Sequence, residues 1–528
     1  MPEESTQPNP GAGKVPPLIQ NWISLSGIIL AACSFFAVVC LIAIDFFAGF
    51  SNPYMGILTY LIAPGFLFAG LLLILIGVLL ERRQRRRVLP GQIPRLPRID
   101  LNIPRQRRAF IIVVVVTFVF LLFTALGSYR TYEFTESVQF CGQTCHAVMK
   151  PEFTAYHNSS HARVECVQCH IGPGATWFVK SKLSGSYQVY ATLFDKYPRP
   201  IPTPVKNLRP AQETCEQCHW PQKFYGAIEK VRTHFKYDEK NSPWTIQMLL
   251  KVGGGDPTHG PVGGIHWHMN VANKVEYIAT DEARQVIPWV RITDRQGHVT
   301  VYEAKDSKLK PDQITSAAIR RMDCIDCHNR PTHIFLSPDE AVDIALSLGR
   351  IDPALPSIKK NAVDALAADY QTTPEALQKI ADSLSKKYAS SDPATIHRAI
   401  IEVQKIYREN FFPEMRSSWK VYPNNIGHFQ WPGCFRCHDG EHAAVDSTGS
   451  PQVDSTGSPQ AGSAGSPQAE RKTISADCNS CHTIIAQGPG TDLKTLSAQG
   501  FEFQHPSEDL GDAWKGQRCS DCHNGTSM

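Results

Sequence analysis

The chain has 528 residues and a formal net charge of +4 at pH 7, a length that can hold several domains. Residues 1–130 contain 12 Lys or Arg against 5 Asp or Glu, whereas the remainder contains 41 basic and 44 acidic residues. This slightly acidic remainder has no basic patch with interleaved aromatic residues, which excludes an ordinary nucleic-acid-binding surface.

Three uncharged apolar runs occupy the first quarter of the chain, at residues 22–44, 54–80 and 109–129. Each is at least as long as the roughly 20 residues that a helix needs to cross a bilayer, so we predict three transmembrane helices. Buried helices of a soluble core are the alternative interpretation. The first run lacks a preceding basic region and a small-residue cleavage site, so we interpret it as a retained span rather than a signal peptide.

The loop at residues 81–108 determines the predicted orientation, because it holds ten arginines and only two acidic residues. Positive charge is enriched in cytoplasmic loops, so this loop and the tail at residues 1–20 are predicted to be cytoplasmic. Everything after residue 129 then lies outside the cytoplasm. We therefore expect a multi-pass protein of the bacterial inner membrane, with its larger part on the periplasmic side.

Seven motifs after residue 140 each place two cysteines a few residues apart with a histidine directly behind the second. This spacing attaches a c-type haem, because the two thiols can bond to its vinyl groups while the histidine binds its iron. We number the motifs 1 to 7 in chain order. Motif 1, CGQTCH, has one extra residue between its cysteines. The attaching residues are Cys141, Cys145, Cys166, Cys169, Cys215, Cys218, Cys324, Cys327, Cys434, Cys437, Cys478, Cys481, Cys519 and Cys522, followed by His146, His170, His219, His328, His438, His482 and His523.

Zinc sites, disulfide frameworks and thioredoxin-like motifs also use paired cysteines. None of them needs a histidine after each of seven pairs. Of the 16 cysteines, 14 lie in the motifs, and Cys33 and Cys40 lie in the first apolar run. No histidine precedes His146, so haems held between the membrane helices by histidine pairs are excluded. The sequence therefore predicts seven covalent haem c groups and a role in electron transfer.

The motifs leave about 55 residues of chain for each haem, too few for a separate large core around each. We predict a mainly α fold, in which three transmembrane helices precede a loop-rich multihaem cytochrome c domain with a small β element. The predicted segments are a membrane hairpin at 21–80, an anchor helix at 109–129, a three-haem module at 130–230, a β-containing segment with one haem at 231–335, a helical spacer at 336–425, and a second three-haem module at 426–528 with a flexible insertion at 446–468.

Local patterns support the two segments between the haem modules. Residues 275–280, 286–294 and 298–304 alternate apolar and polar side chains around turns, which predicts a small β-meander or hairpin. In the spacer, Ser337 starts a capping box with proline at the first helical position. The pairs at residues 373–374 and 392–393 predict two further helix starts.

Twelve histidines lie outside the motifs, enough to give most irons a second axial ligand. His333 and His442 follow the nearest motif histidine by five and four residues, so neither can reach the opposite face of its own porphyrin. Each would have to bind a neighbouring haem. The candidate distal ligands are His161, His234, His268, His333, His428, His442 and His505, whereas His298 and His397 are interpreted as structural. Surface exposure is the alternative for any one of them.

Motif 1 offers a different ligand, because Met149 follows it closely. A methionine thioether on the iron raises the reduction potential relative to two histidines, which suits a haem that receives electrons. The alternative is that Met149 packs against the ring without binding the iron.

The segment FCGQTCHAVMKPEFTAYHNSSHARVECVQCH, with KSKLSGSYQVYATL behind it, resembles the NapC/NirT family of membrane-anchored multihaem quinol dehydrogenases. The resemblance covers about residues 108–220. The seven motifs and the extra apolar runs are similar to the heptahaem inner-membrane cytochromes of metal-respiring bacteria. The family implies oxidation of a membrane quinol near the first haem and transfer of electrons to periplasmic cytochromes or reductases, in anaerobic or extracellular respiration.

The same resemblance implies a quinol site around Lys182, Gln188 and Met149. Lys182 matches the family lysine, whereas Gln188 stands where the family often has an acid. Alternative proton acceptors are Glu133, Glu136 and Lys150. Two other functions remain open at this point: a terminal reductase for a nitrite-like substrate, and a passive electron-relay subunit. The absence of a Cys-x-x-Cys-Lys motif, a frequent mark of an open iron position in such reductases, argues against the first.

Overall fold

A computed structural model of the chain describes residues 18–19, 21–48, 63–85, 102–144, 146–172, 174–205, 208–254, 264–269, 273–445, 472–490, 493, 497 and 499–527. The chain forms two compact units. The amino-terminal unit comprises Met1–Glu133 and Pro173–Val179, and the carboxy-terminal unit comprises Phe134–Gly172 and Lys180–Met528. The flexible insertion predicted at 446–468 lies outside the described residues.

The first three helices that the structure describes are α1 (Trp22–Ala48), α2 (Ala63–Arg85) and α3 (Pro104–Glu136). Within the described residues, Trp22–Leu41 and Ala63–Gln84 are long and apolar enough to cross a membrane, with mean hydropathies of 2.4 and 2.6. The third predicted span falls on α3, where many side chains lie outside the described part, so that span stays a prediction. Residues 54–62 of the second run and 86–101 of the arginine-rich loop also lie outside the described residues, so the predictions made for them are not tested.

Small and polar residues hold α1 against α2. A Cβ added to Gly27 would lie 2.7 Å from the Gly70 carbonyl oxygen, so the two backbones touch where neither residue has a side chain. The Asn21 amide donates to the Gly77 carbonyl at 3.2 Å, and the Ser24 hydroxyl donates to the Ile74 carbonyl at 3.3 Å. Close backbone approach and interhelical hydrogen bonds are the means by which helices associate in lipid, where the hydrophobic effect gives no drive.

Two antiparallel sheets lie in the carboxy-terminal unit. The three-stranded sheet has the order β1-β2-β8 and the five-stranded sheet the order β6-β3-β4-β5-β7. The strands are β1 (Ile228–Phe235), β2 (Pro243–Leu250), β3 (Lys274–Ile278), β4 (Trp289–Thr293), β5 (Val299–Glu303), β6 (Arg320–Arg321), β7 (Ala443–Val445) and β8 (His482–Pro489). The predicted meander is confirmed as β3-β4-β5, and Val275, Tyr277, Val290 and Tyr302 form its buried side.

Ten shorter α-helices follow within the described residues. They are α4 (His146–His157), α5 (Cys166–His170), α6 (Ala175–Leu193), α7 (Ala211–Cys215), α8 (Cys324–Cys327), α9 (Pro338–Ser347), α10 (Ile358–Ala367), α11 (Thr373–Lys387), α12 (Pro393–Asn410) and α13 (Cys519–Cys522). Helices α9 to α12 surround a core that includes Val342, Ile358, Val363, Ile380 and Val403, all fully buried.

Side-chain caps start three of these four helices. Ser337, Thr372 and Asp392 each accept a hydrogen bond from the backbone N–H three residues further on, at 3.1, 3.3 and 2.8 Å. Each helix also has proline in its first turn. The three predicted helix starts are thus observed, whereas α10 begins without a side-chain cap and was not predicted.

A buried ionic cluster joins α9, α10 and β1. The Lys359 ammonium, which is completely buried, lies 2.8 Å from Asp339 Oδ1 and 2.6 Å from Asp343 Oδ1. His234 Nδ1 lies 2.6 Å from Asp343 Oδ2. Burial disfavours the ionised form of Asp339, but the neighbouring Lys359 and His234 outweigh it, so the pKa of this carboxyl is below its usual value.

This lowered pKa predicts acid sensitivity of the carboxy-terminal unit. A carboxyl whose pKa is lower in the folded state contributes stability above its unfolded pKa, about 3.9 for Asp, and that stability is lost as the pH falls towards the folded value. We expect the contribution of Asp339 to be constant from pH 7 to pH 5 and to decline below about pH 4. Urea unfolding at each pH measures it. An Asp339→Asn variant serves as reference, and an unchanged difference from wild type at pH 3 would contradict the prediction.

Candidate functional site

A short helical turn lies in or next to each motif. Motif 1 has a π-helical turn, Phe140–Thr144, and motifs 2, 4 and 7 have α5, α8 and α13. Motif 3 begins at the last residue of α7, and motifs 5 and 6 have the 3-10 turns Gly433–Arg436 and Cys478–Ser480. In motifs 3, 4, 5 and 7 the histidine N–H donates to the carbonyl of the first cysteine at 2.8 to 3.0 Å. In motifs 2 to 7 the two cysteines are three residues apart, a spacing at which residues of one helical turn share a face.

The alternative uses of paired cysteines find no support in the part of the chain that the structure describes. None of the fifteen described cysteines forms a disulfide. The one group of described side chains spaced to hold a metal ion is His234 with Asp339 and Asp343, and the Lys359 ammonium bonds to both of its carboxylates. It contains no cysteine, so a cysteine-based zinc site is not formed there.

Six motif histidines each face one histidine from outside the motifs. The ring centres are 6.4 Å apart for His170 and His333, 6.0 Å for His219 and His161, 6.4 Å for His328 and His266, 5.7 Å for His438 and His268, 6.2 Å for His482 and His428, and 6.1 Å for His523 and His505. The side chain of the seventh motif histidine, His146, lies outside the described part. No motif histidine in these pairs faces another motif histidine.

The spacing within the pairs suits one metal atom between two rings. Two imidazoles that bind opposite sides of one iron through nitrogen, with bonds of about 2 Å, have ring centres roughly 6 Å apart. In the pair formed by His428 and His482, both Nδ1 atoms are buried without a hydrogen-bond partner. Buried polar atoms normally have a partner, so these two rings fit a site that a bound group completes.

Hydrogen bonds orient several of the paired rings. Nδ1 of His266, His268, His333 and His438 bonds to the backbone carbonyls of Val252, Ile265, Glu152 and Ser475, at 2.7, 2.9, 3.0 and 2.8 Å. A carbonyl accepts only, so the proton resides on Nδ1 and the Nε2 lone pair faces away. This is the arrangement in which a metal-ligating histidine is held by its second nitrogen.

Burial lowers the pKa of several paired rings, which favours the neutral form that binds a metal. Burial and then the neighbouring His333 lower the pKa of His170 to about 4. Burial and then His234 lower the pKa of His523 to about 4. Burial also lowers the pKa of His268.

The structure brings together five of the seven predicted distal candidates with a motif histidine: His161, His268, His333, His428 and His505. It also shows a partner that the sequence analysis missed, His266. As predicted for His333, the ring faces the histidine of another motif, His170 of motif 2, rather than His328 five residues before it.

His442 and His234 are not in these six pairs, and the prediction for His442 requires correction. Both nitrogens of His442 are engaged, Nδ1 with Asp439 at 2.9 Å and Nε2 with the Ile287 carbonyl at 2.8 Å, so neither lone pair is available to an iron. His234 belongs to the buried ionic cluster through Asp343. The two rings therefore have structural partners.

Cysteines of successive motifs are neighbours in space. Close side-chain contacts join motif 1 to motif 2 and motif 3 to motif 4, and cysteines of the other successive motifs lie within electrostatic range. The pairs are Cys141 with Cys166, Cys169 with Cys218, Cys215 with Cys324, Cys327 with Cys434, Cys434 with Cys481, and Cys478 with Cys519. The spatial order of the motifs thus follows their order in the chain.

A buried carboxylate organises motif 4. Asp326, the residue before its second cysteine, is 2% exposed and accepts hydrogen bonds from Tyr277 at 2.7 Å and from Arg284 and Arg320 at 3.0 Å each. Burial and then the Asp326 charge raise the pKa of Tyr277. Motif 4 is thereby fixed to strand β3 and its neighbours.

Asp326→Asn is expected to destabilise the carboxy-terminal unit by about 1–3 kcal/mol, because charge-assisted hydrogen bonds weaken and Arg284 and Arg320 lose a buried counter-charge. Chemical denaturation measures the change. Asp521→Asn is the matched control, since Asp521 occupies the same position of motif 7 but is exposed. A loss of equal size in both variants would contradict a special role for Asp326.

Lys182 forms an ion pair with Glu136 beside motif 1. Their side chains are 37% and 14% exposed, and both charges act on Cys141. Lys182 is a residue predicted for the quinol site, and Glu136 is one of the alternative proton acceptors. Gln188 lies on the exposed side of α6, where its amide donates to Ser184 at 3.4 Å, and Met149 is half-buried on α4.

Seven attachment motifs, facing histidines and two apolar helices define the chain as a membrane-associated multihaem c-type cytochrome of electron transfer. Residues 103–200 match the profile of the NapC/NirT cytochrome c family, N-terminal region. The chain belongs to this family and carries covalently bound haem c. It is similar to the cytochrome c-type protein ImcH of Geobacter sulfurreducens, with 44% identity over 510 residues, which is 95% of each chain. No solved structure matches.

Proposed function

We propose that this chain is a seven-haem quinol dehydrogenase of the inner membrane, which passes electrons from membrane quinol to periplasmic acceptors. The observation that supports this most is the set of six histidine pairs on motifs that follow one another in space. Each motif would attach one haem by its cysteines, and each paired histidine would bind the iron. Haem bound there supplies one-electron transfer.

Motif 1 is the proposed entry point, because it follows the membrane-proximal helix α3. Oxidation of a quinol to the quinone releases two electrons and two protons. Glu136, held in the ion pair with Lys182, is a carboxylate placed to take a proton from a quinol hydroxyl. Lys182 can donate a hydrogen bond to the quinol oxygen. In this proposal Glu136 replaces the acid that the family often has at the position of Gln188, and Met149 remains a candidate ligand of the first iron.

The orientation and the partners belong to the same proposal. In this proposal the arginine-rich loop between the second and third spans is cytoplasmic, because positive charge is enriched in cytoplasmic loops. With a third span in α3, the haem region is then periplasmic. The two protons are then released outside the cytoplasm. Motifs 5 to 7 lie at the far end of the series and would deliver electrons to soluble periplasmic cytochromes or reductases in anaerobic or extracellular respiration.

Reduction of the purified full-length protein by a quinol tests this function. The protein is inserted into lipid vesicles, a menaquinol or ubiquinol analogue is added, and reduction of the haems is followed by visible absorbance. We expect reduction by at least one quinol and, afterwards, oxidation by a soluble periplasmic cytochrome. A protein that dithionite reduces but neither quinol does would refute quinol oxidation and favour a passive relay. Nitrite turnover by the reduced protein would favour a terminal reductase.

A further inference from the structure

Two of the facing histidines come from one short turn that lies outside the residues matched by the family. The 3-10 turn Ile265–Met269 carries His266 and His268. His266 faces His328 of motif 4, and His268 faces His438 of motif 5. The two pairs differ in geometry, because the ring planes are nearly parallel in the first, at 1°, and nearly perpendicular in the second, at 84°.

The spacing of these histidines explains how one turn reaches two partners. A 3-10 helix has three residues per turn, so residues two apart point in directions about 120° from each other. Both rings have Nδ1 bonded to a carbonyl, Val252 for His266 and Ile265 for His268, which leaves the lone pair of each ring on Nε2.

Backbone contacts fix the turn in this position. The N–H groups of Ile265 and His266 donate to the carbonyls of Lys251 and Gly253 at 2.8 and 3.2 Å. Lys251 in turn donates its N–H to the Cys481 carbonyl of motif 6 at 2.8 Å. A Cβ added to Gly254 would lie 2.3 Å from the backbone nitrogen of Trp267. The backbone of Gly254 is therefore in direct contact with the backbone of the turn.

Trp267, between the two histidines, anchors the turn from its other side. It packs against the buried cluster of the five-stranded sheet that contains Tyr277 and Val290. The turn is therefore held on one side by the segment from Lys251 to Gly254, which is hydrogen-bonded to motif 6. On the other side it is held by the sheet that is fixed to motif 4 through Asp326.

We infer that the turn Ile265–Met269 supplies the distal ligand to two successive haem irons, His266 to the iron of motif 4 and His268 to the iron of motif 5. This inference rests on the haem content of the proposed function but not on quinol oxidation. One rigid turn then fixes the relative position of two haems at the middle of the series. A shift of the turn changes both sites together.

Single and double substitutions test this assignment on the full-length haem protein. The variants are His266→Met, His268→Met and the double variant, and His298→Met is the control, because His298 is exposed and pairs with Asp294. The readouts are haem content by intact mass and the low-spin signals in electron paramagnetic resonance and near-infrared magnetic circular dichroism. We expect seven haems in every variant, loss of one bis-histidine signal in each single variant, and loss of two in the double variant.

The parallel and perpendicular pairs make the two losses distinguishable. Perpendicular axial rings give a low-spin signal with a larger maximum g value than parallel rings, so His268→Met should remove a large-g component and His266→Met a rhombic one. His298→Met should remove neither. Because loss of a ligand can loosen the turn, His266→Gly and His268→Gly are also prepared with imidazole, which should restore the missing signal.

Three results would overturn the assignment: full retention of the bis-histidine signals in either methionine variant, loss of the same single haem signal in both, or failure of imidazole to restore the signal in either glycine variant. Failure of quinol to reduce a protein that shows the expected spectra would refute the proposed function and leave the ligand assignment standing.

Discussion

Glu136→Gln is expected to slow reduction of the haems by a membrane quinol about 100-fold, with haem content unchanged. A general base in the proton-transfer step typically contributes a factor of about 10² to 10⁴, and glutamine preserves the shape of the side chain while removing its basicity. In the ion pair with Lys182, the Glu136 side chain is only 14% exposed. Water therefore has little access to the site and is a poor replacement for Glu136 as the proton acceptor. Stopped-flow absorbance with a reduced quinol analogue measures the rate.

Two comparisons make this result specific to the proton acceptor. Asp195→Asn, which removes a carboxylate from an exposed ion pair with Arg199 just after α6, should leave the rate unchanged. Dithionite reduces the haems without deprotonation of a quinol. Its rate of haem reduction should therefore be equal in wild type and Glu136→Gln. A wild-type quinol rate in Glu136→Gln, or a 100-fold loss in Glu133→Gln instead, would show that Glu136 is not the acceptor.

Lys359→Met should destabilise the carboxy-terminal unit by about 3–5 kcal/mol. Removing one partner of a buried ion pair leaves the remaining charge without compensation, and here two carboxylates, Asp339 and Asp343, lose the same ammonium. Methionine keeps much of the side-chain volume, so a cavity contributes little to the loss. Denaturant unfolding, followed by far-ultraviolet circular dichroism, measures the change in the free energy of unfolding.

The adjacent residue provides the control for this substitution. Lys360 pairs with Asp364 across one helical turn, with 47% of its side chain exposed, and exposed pairs of this kind contribute less than about 0.5 kcal/mol. Lys360→Met should therefore unfold almost like wild type. If Lys359→Met and Lys360→Met unfold at the same denaturant concentration, the buried cluster is not a determinant of stability.

The cysteine motifs were the most informative part of the sequence, because covalent attachment requires a fixed spacing that needs no tertiary context. Distal histidines are different, since each is brought to its partner by the fold. Five of the six histidines that face a motif histidine were predicted from local sequence, because they lie in loops or close to a motif. His266 was missed because the sequence HWH does not reveal a 3-10 turn, and only in such a turn do residues two apart point to separate partners.

His442 shows the opposite error. Its position four residues after His438 favoured a ligand, but Asp439 lies between them and accepts from its Nδ1, while the Ile287 carbonyl, 155 residues away in sequence, holds Nε2. The second contact cannot be read from local sequence. The sheets follow the same rule: the meander β3-β4-β5 is local and was predicted, whereas β7 and β8 join strands from far earlier in the chain.

The number of haems on the intact polypeptide tests the central claim most directly. Mass spectrometry of the purified full-length protein under denaturing conditions retains thioether-bound haem and removes every other ligand. We expect the polypeptide mass plus seven haems, one for each motif from Cys141 to His523. A mass with fewer than six haems would contradict the assignment of the facing histidines and, with it, the proposed electron path.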